Sequence, residues 1–449
     1  MIFTREKDFY VRFFRLTGAI ALQNLIQLGV GLGDNMMLGA FSEAAMSGAA
    51  VVMQVQFLLQ MTLAGIGTGA SVIAAQHWGK RQTEPIRRIF AVAFWLAMGA
   101  GVLFGVLGAF FPEQVLRLLT NEAAVIAQGA EYFRAVAPAY PFFVLSGVGV
   151  AMFRSVESPR VGVYLSLVSL VLDTAMNYVF IFGKLGLPAM GARGAALTSA
   201  ISYTLQFVLL LIYARRFDKK LHFRPRDLFG VRRADFKTYA KTALPLMGSQ
   251  VSWGVAMNLQ SAILGRLGQG AIAASAIAAA VFQFVSVVIY ASASASNVVI
   301  GKAVGEGDIS KVKAYTKTLQ VLFVGLGLIG AVSLFFGRNL IIDIYNIAPE
   351  TRSLALQFMA VLSVTVIGTA YQMSCLAGVV SGGGDTRFVL INDLIFQWGI
   401  ILPLSALAAF VWHLPPVWVF IFLKSDQILK CAVAAIKVNR FRWIRDLTK

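Results

Sequence analysis

Two aspartates, Asp34 and Asp173, lie inside long apolar runs of the first half of the chain, with no basic residue near either in sequence. A carboxylate at the centre of a membrane helix costs about 2.5–3.5 kcal/mol on insertion scales, so such groups face a protein interior or a watery cavity. Asn177 follows Asp173 by four residues and therefore shares its helical face. The stretch GARGAALTSAIS adds Thr198. Burial disfavours the charged form of a carboxylate and a nearby cation favours it. A buried pair of acids can therefore exchange a proton or a sodium ion, held at Asp34 and Asp173, against a cationic substrate. The bland alternative is that both acids only hydrogen-bond neighbouring helices and fix packing.

The remaining intramembrane polar groups fall into two classes. Gln23 and Gln27 in the first apolar run, with Gln250, Asn258, Gln260, Gln283 and Gln372 in the second half, are candidates to line a substrate cleft. Asp393, Lys424, Asp426 and Lys430 read as structural ion pairs. Asp426 and Lys430 form an acid-first i,i+4 pair, and Lys424 needs Asp393 or Asp426 as a partner. Met, Phe and Tyr side chains facing such a cavity would suit lipophilic cations.

Catalytic signatures are absent, and the chain does not read as an enzyme. Gly301-Lys302 lacks the upstream glycine and following Ser/Thr of a phosphate loop, and His77, His222 and His413 are isolated. Cys375 and Cys431 have no metal or disulfide spacing. Gly382-Gly383-Gly384-Asp385 reads as a tight inter-helix turn. No cofactor is indicated beyond a coupling ion, H⁺ or Na⁺.

The elements that must position these groups are membrane helices. Of 449 residues, 58% are hydrophobic and 13% charged, far more apolar than a soluble domain. Apolar stretches of about 20 residues match a hydrocarbon core of roughly 30 Å. Twelve spans are expected, near 16–38, 46–74, 89–111, 132–153, 161–183, 194–214, 243–265, 271–300, 318–337, 355–380, 387–410 and 415–436. The charge of +18 is spread over many short loops rather than one nucleic-acid-binding stripe. With both termini in the cytoplasm, only Arg117, Arg134, Lys184, Arg193, Arg266, Arg338 and Arg352 fall outside, the bias that sets orientation. The start of the chain is charged and aromatic, unlike a cleaved signal peptide; it reads as a cytoplasmic arm.

Internal repetition organises the spans. Gly39 and Gly265, Ala45 and Ala271, Gly79 and Gly305, and Tyr132 and Phe358 are all related by one constant offset between the halves. Six spans per half make this a parallel repeat about an axis along the membrane normal. The expected architecture is an all-α membrane protein of twelve transmembrane helices in two six-helix lobes. Its expected domains are an N-lobe at 1–214, a cytoplasmic connector at 215–241, a C-lobe at 242–436 and a basic cytoplasmic tail at 437–449.

Several motifs together resemble the multidrug and toxic compound extrusion (MATE) family, bacterial branch, over essentially the whole chain. They are QNLIQLGVGLGDNMMLG, AAQHWGKRQ, NYVFIFGKLGLPAMGARGAALTSAIS, IGKAVGEGDISKVK and GVVSGGGDTRFVLIND. The resemblance implies inner-membrane export of organic cations driven by inward Na⁺ or H⁺, with Asp34 as the span-one acid and Thr198 as a polar member of the same site. Span five usually reads Asn-x-x-x-Asp; this chain reads Asp173-Thr-Ala-Met-Asn177. The span-one proline is Ala19 here, although Pro245 stands at its second-half counterpart. The acids of a C-lobe cation site in NorM-like members have no match in spans seven and ten, which points coupling to the N-lobe. A monomer is expected. The rival functions are a lipid-linked intermediate flippase, which would want a more cationic cleft, and a non-transporting membrane sensor.

Overall fold

The computed structural model describes residues 3–343 and 347–448, and every regular element among them is helical. In the first half these are α1 (Lys7–Phe41), α2 (Glu43–Gly79), α3 (Thr83–Phe110), α4 (Pro112–Arg117), α5 (Ala123–Val136), α6 (Tyr140–Ser155), α7 (Arg160–Phe182) and α8 (Gly191–Arg216). The second half holds α9 (Arg233–Gly265), α10 (Gln269–Glu306), α11 (Ile309–Ile342), α12 (Pro349–Met373), α13 (Thr386–Leu394), α14 (Leu402–Phe410), α15 (Pro416–Lys424) and α16 (Asp426–Asn439).

Ten helical stretches among the described residues are long and apolar enough to cross a bilayer. The protein is therefore a multi-pass membrane protein. The expected spans 243–265 and 415–436 fall outside that set. α9 carries its charges in the first turns and Pro245 inside the helix. The last expected span is divided at Ser425 into α15 and α16, between Lys424 and Asp426. Most of the charged arm is helical, because α1 begins at Lys7.

Local chemistry explains where the helices stop and bend. Gly183 (φ +66°) closes α7 in the left-handed conformation that a glycine adopts without steric cost. Asp308 caps α11, its carboxylate accepting from the Lys311 backbone N–H at 3.0 Å. α12 continues as a π-helix over Ser374–Val380, and α13 passes into α14 through another over Ile395–Ile401.

Two compact units form. One gathers the chain through Ala21, Ala75–Arg81 and Gly248 onward; the other gathers Leu22–Ala74 and Gln82–Met247. In the second, α7 and α8 approach closely at Gly194, where a Cβ would meet the Phe180 backbone at 2.7 Å. In the first, Phe358 and Phe420 stack at 4.1 Å between α12 and α15.

The carboxyl-terminal segment, expected as a basic cytoplasmic tail, packs back onto the fold. Trp443 is fully buried, and the Arg445 backbone N–H donates to the Gly383 carbonyl at 2.8 Å. Asp385, at the turn of Gly382–Asp385, takes Lys437 at 2.7 Å and Arg445 at 3.1 Å. Gln76, at the end of α2, accepts from the Leu447 N–H at 2.8 Å and donates to the Arg445 carbonyl at 3.1 Å. Lys80 pairs with Asp446 at 3.0 Å and with Thr448. The glycines serve this packing, since a Cβ at Gly383 would strike the Trp443 ring.

Candidate functional site

α7 is built around one polar stripe. Ser166, Ser169, Asp173 and Asn177 recur at three- and four-residue intervals and are all buried, with Asp173 5% and Asn177 2% exposed. Asp34 approaches from α1, half-buried. The Asn177 Nδ2 donates to Asp34 Oδ1 at 2.5 Å. The other amide atom, Asn177 Oδ1, is buried without a hydrogen-bond partner among the described residues, an arrangement rare enough to need an explanation.

Asp173 is held by hydroxyls on both sides. Ser202 of α8 donates to Oδ1 at 2.7 Å, and Ser169 donates to Oδ2 at 3.0 Å. Gln206 in turn donates to the Ser169 oxygen at 2.6 Å. Thr198, the residue expected to contribute here, donates its hydroxyl to the Gly194 carbonyl at 3.1 Å. Ser202, one turn further along α8, makes the contact instead. Tyr132 and Tyr203 stand within electrostatic reach of both carboxylates, and Gln56 donates to the Tyr203 hydroxyl at 2.6 Å. Among the described residues no cationic side chain pairs with Asp34 or Asp173.

Sequence reasoning missed Ser169, Ser202 and Gln206. The signal was present: Ser169 precedes Asp173 by one turn, and Thr198, Ser202 and Gln206 follow each other at four-residue steps.

The candidate cleft residues occupy varied settings. Gln23 is buried and its Oε1 accepts from Arg154 Nη2 at 3.1 Å. Gln27, Asn258 and Gln283 are exposed, and Gln250 is half-buried; Asn258 donates back to the Gly254 carbonyl at 3.2 Å. Gln260 accepts from Lys424 at 3.4 Å, and Gln372 donates to Gln427 at 2.9 Å.

The expected Asp426–Lys430 pair is present, and Lys430 also reaches Asp393. Lys430 sits 2.9 Å from Asp393 and 3.8 Å from Asp426. Lys424, expected to reach one of those acids, instead lies on Gln260 and over the Phe420 ring at 5.7 Å. Lys424 ends α15 and Asp426 starts α16, on either side of Ser425. No group of three or more His, Cys, Asp and Glu side chains converges as a metal site among the described residues. Oxygen atoms of Asp34, Asp173 and Asn177 could hold a proton or a sodium ion as cargo of the cycle.

Comparison with known proteins adds the family-level context. The MatE family model matches twice, over residues 19–179 and 245–407, and the two matches start at the same offset that relates the paired glycines. A probable multidrug resistance protein NorM from Mesorhizobium japonicum is 28% identical over 445 residues, covering 96% of this chain and 92% of that protein. The multidrug resistance protein MdtK of Yersinia pseudotuberculosis is 23% identical, covering 95% and 93%. A solved MOP superfamily transporter from Pyrococcus furiosus superimposes with a TM-score of 0.86 at 18% identity, over 98% of this chain and 96% of that one. A Vibrio cholerae MATE transporter gives 0.86 at 15% identity, over 98% of each chain. These structures share the fold.

Proposed function

Because this chain belongs to the MatE family, whose members are transporters and not enzymes, we propose that it is a multidrug efflux antiporter. It exports organic, mainly cationic lipophilic compounds by alternating access, driven by inward H⁺ or Na⁺. The observation that carries this reading is the Asn177 bridge. Its amide donates to Asp34 while its buried Oδ1 keeps no partner among the described residues, one turn from a second carboxylate hydrogen-bonded by two serine hydroxyls. Such a site gains an acceptor-satisfying partner when a protonated carboxyl or a sodium ion arrives. An ion can drive the cycle only through different affinity in the two access states, so the surroundings of Asp34 and Asp173 must differ between them.

The architecture that goes with this function is twelve spans in two repeat-related lobes, 1–214 and 242–436, joined by the 215–241 connector. The chain works as a monomer in the bacterial inner membrane with both termini in the cytoplasm. α9 and the α15–α16 pair supply the two spans that hydropathy alone does not mark. Coupling runs through Asp34 and Asp173, with Asn177 as a neutral ligand and Ser202 as the hydroxyl partner.

Proteoliposomes containing the full chain test the reading. Ethidium should accumulate against an imposed pH or sodium gradient, and dissipating the coupled gradient alone should stop it. Absence of movement under either gradient would overturn the assignment.

A further inference from the structure

The second half carries a carboxylate contact between the same pair of repeat-related helices, but with a cation already seated on it. By the repeat offset α9 corresponds to α1, and the stretch Thr386–Phe410 corresponds to α7. The first half joins its pair through Asn177 and Asp34. The second joins its pair through Ser249, whose hydroxyl donates to Asp393 Oδ2.

On the other oxygen of Asp393 sits the Lys430 ammonium at 2.9 Å, which also stands 3.8 Å from Asp426. The three side chains differ in accessibility: Lys430 is 5% exposed, Asp426 7% and Asp393 25%. Ionisable side chains within membrane spans almost always face the bundle interior or a water-filled cavity. Asp426 is meanwhile supported by Gln427, which donates at 2.9 Å, so a carboxylate with hydrogen-bonded footing waits one helical turn from Lys430.

Next to Asp393 lies an aromatic face. The Trp398 indole N–H donates to Ser252 at 2.7 Å, and Ser252 lies one turn along α9 from Ser249. Carboxylate and indole therefore stand over one face of α9, and the ring is 40% exposed. Trp398 lies within the π-helix Ile395–Ile401, just after Asp393, a deviation that recurs at functional sites. Carboxylate, hydroxyl and exposed indole are together the groups that recognise an organic ammonium.

We propose that Asp393 is a docking site for the positively charged nitrogen of organic cation cargo, with Lys430 as its resident tethered cation. Cargo displaces the Lys430 ammonium from Asp393, and Lys430 moves onto Asp426. This rests on the antiporter reading and adds to it a recognition point in the second half.

Equilibrium ethidium binding to the purified full chain, followed by fluorescence polarisation, tests the displacement. Lys430→Gln removes the tethered competitor and should tighten binding by about fivefold, whereas Asp393→Asn should weaken it by about tenfold, a ~1.4 kcal/mol effect. Lys430→Arg keeps the cation and should bind within about twofold of wild type. The neutral double variant Asp393→Asn/Lys430→Gln has no unpaired charge at that contact, and its thermal melting reports folding. It should bind as weakly as Asp393→Asn. A structural clamp predicts the reverse: weaker binding in Lys430→Gln and recovery in the double variant, which would overturn the proposal. Wild type that binds and transports ethidium, with no effect of these variants, defeats this site while leaving the antiporter reading intact. Wild type that neither binds nor moves ethidium defeats both.

Discussion

Gly79 and Gly305, equivalent positions of the two halves, cross reciprocally: a Cβ on Gly79 would meet the Lys302 carbonyl at 2.1 Å, and one on Gly305 the Gln76 carbonyl at 1.9 Å. Gln76 and Lys302 are themselves equivalent under the same offset, so the contact is its own mirror under the repeat. The ends of α2 and α10 approach backbone to backbone, and no side chain fits between them. Gly305→Ala should destabilise the purified protein by about 1–3 kcal/mol, the usual penalty for overpacking. Gly325 provides the contrast, since it lies in α11 with open space around its Cβ position. Gly325→Ala should be neutral or stabilising by roughly 0.5–1 kcal/mol. Thermal melting in detergent compares the two; equal melting temperatures would refute the close crossing.

The α7 network makes a separable prediction for transport. Ser202→Ala removes the 2.7 Å donor from Asp173, and hydrogen bonds to charged groups contribute about 1.5–3 kcal/mol. Ethidium export should fall at least about tenfold while Thr198→Val, which loses only a bond to the Gly194 carbonyl, keeps most activity. Asp34→Asn should abolish resistance in a transporter-deficient strain with expression retained. A Thr198 variant worse than the Ser202 variant would contradict the geometry.

The carboxyl-terminal strap should be stable across physiological pH. Burial alone would raise the Asp446 carboxyl, but hydrogen bonds from Thr448 and Lys80 together with the Lys80 charge outweigh it and bring it down to about 2. A group depressed in the folded state stabilises above its unfolded value, near 3.9, and loses that contribution as pH falls toward its folded value. The tail should therefore resist carboxypeptidase from about pH 5 upward. Lys80→Ala should loosen it at neutral pH, and protection unchanged in that variant would count against the strap.

The legibility of the fold and site in sequence differed by the range of the interaction. Apolar length and the constant offset between halves announced membrane helices and a duplicated half, because both are written in local composition. Asp34 and Asp173 stood out because an acid in an apolar run has few innocent explanations. Which hydroxyl meets Asp173 depends on the rotation and close approach of α8 against α7 at Gly194, a tertiary quantity, and so Ser202 was missed for Thr198. That Lys424 takes Gln260 as its hydrogen-bond partner was invisible for the same reason. Trp443 likewise read as part of a charged tail; only the glycine turn at Gly382–Asp385 gives its ring a place.

Gln23, expected to line a cleft, has an intramolecular partner that supports a last prediction. Its Oε1 accepts from Arg154 at 3.1 Å, and Gly162 faces it so closely that a Cβ would lie 2.3 Å from that oxygen. The Arg154 Nε is already buried without a partner among the described residues. Removing the Gln23 acceptor leaves more of a buried guanidinium unsatisfied, which costs about 1–3 kcal/mol or more for a charged group. Replacing both partners by apolar side chains costs far less, because nothing polar is stranded. Gln23→Leu should therefore lower the melting temperature clearly, while Gln23→Leu/Arg154→Met should recover most of the loss. Additive destabilisation in this double-mutant cycle would mean that Gln23 does not serve Arg154, and would return it to the candidates that contact cargo.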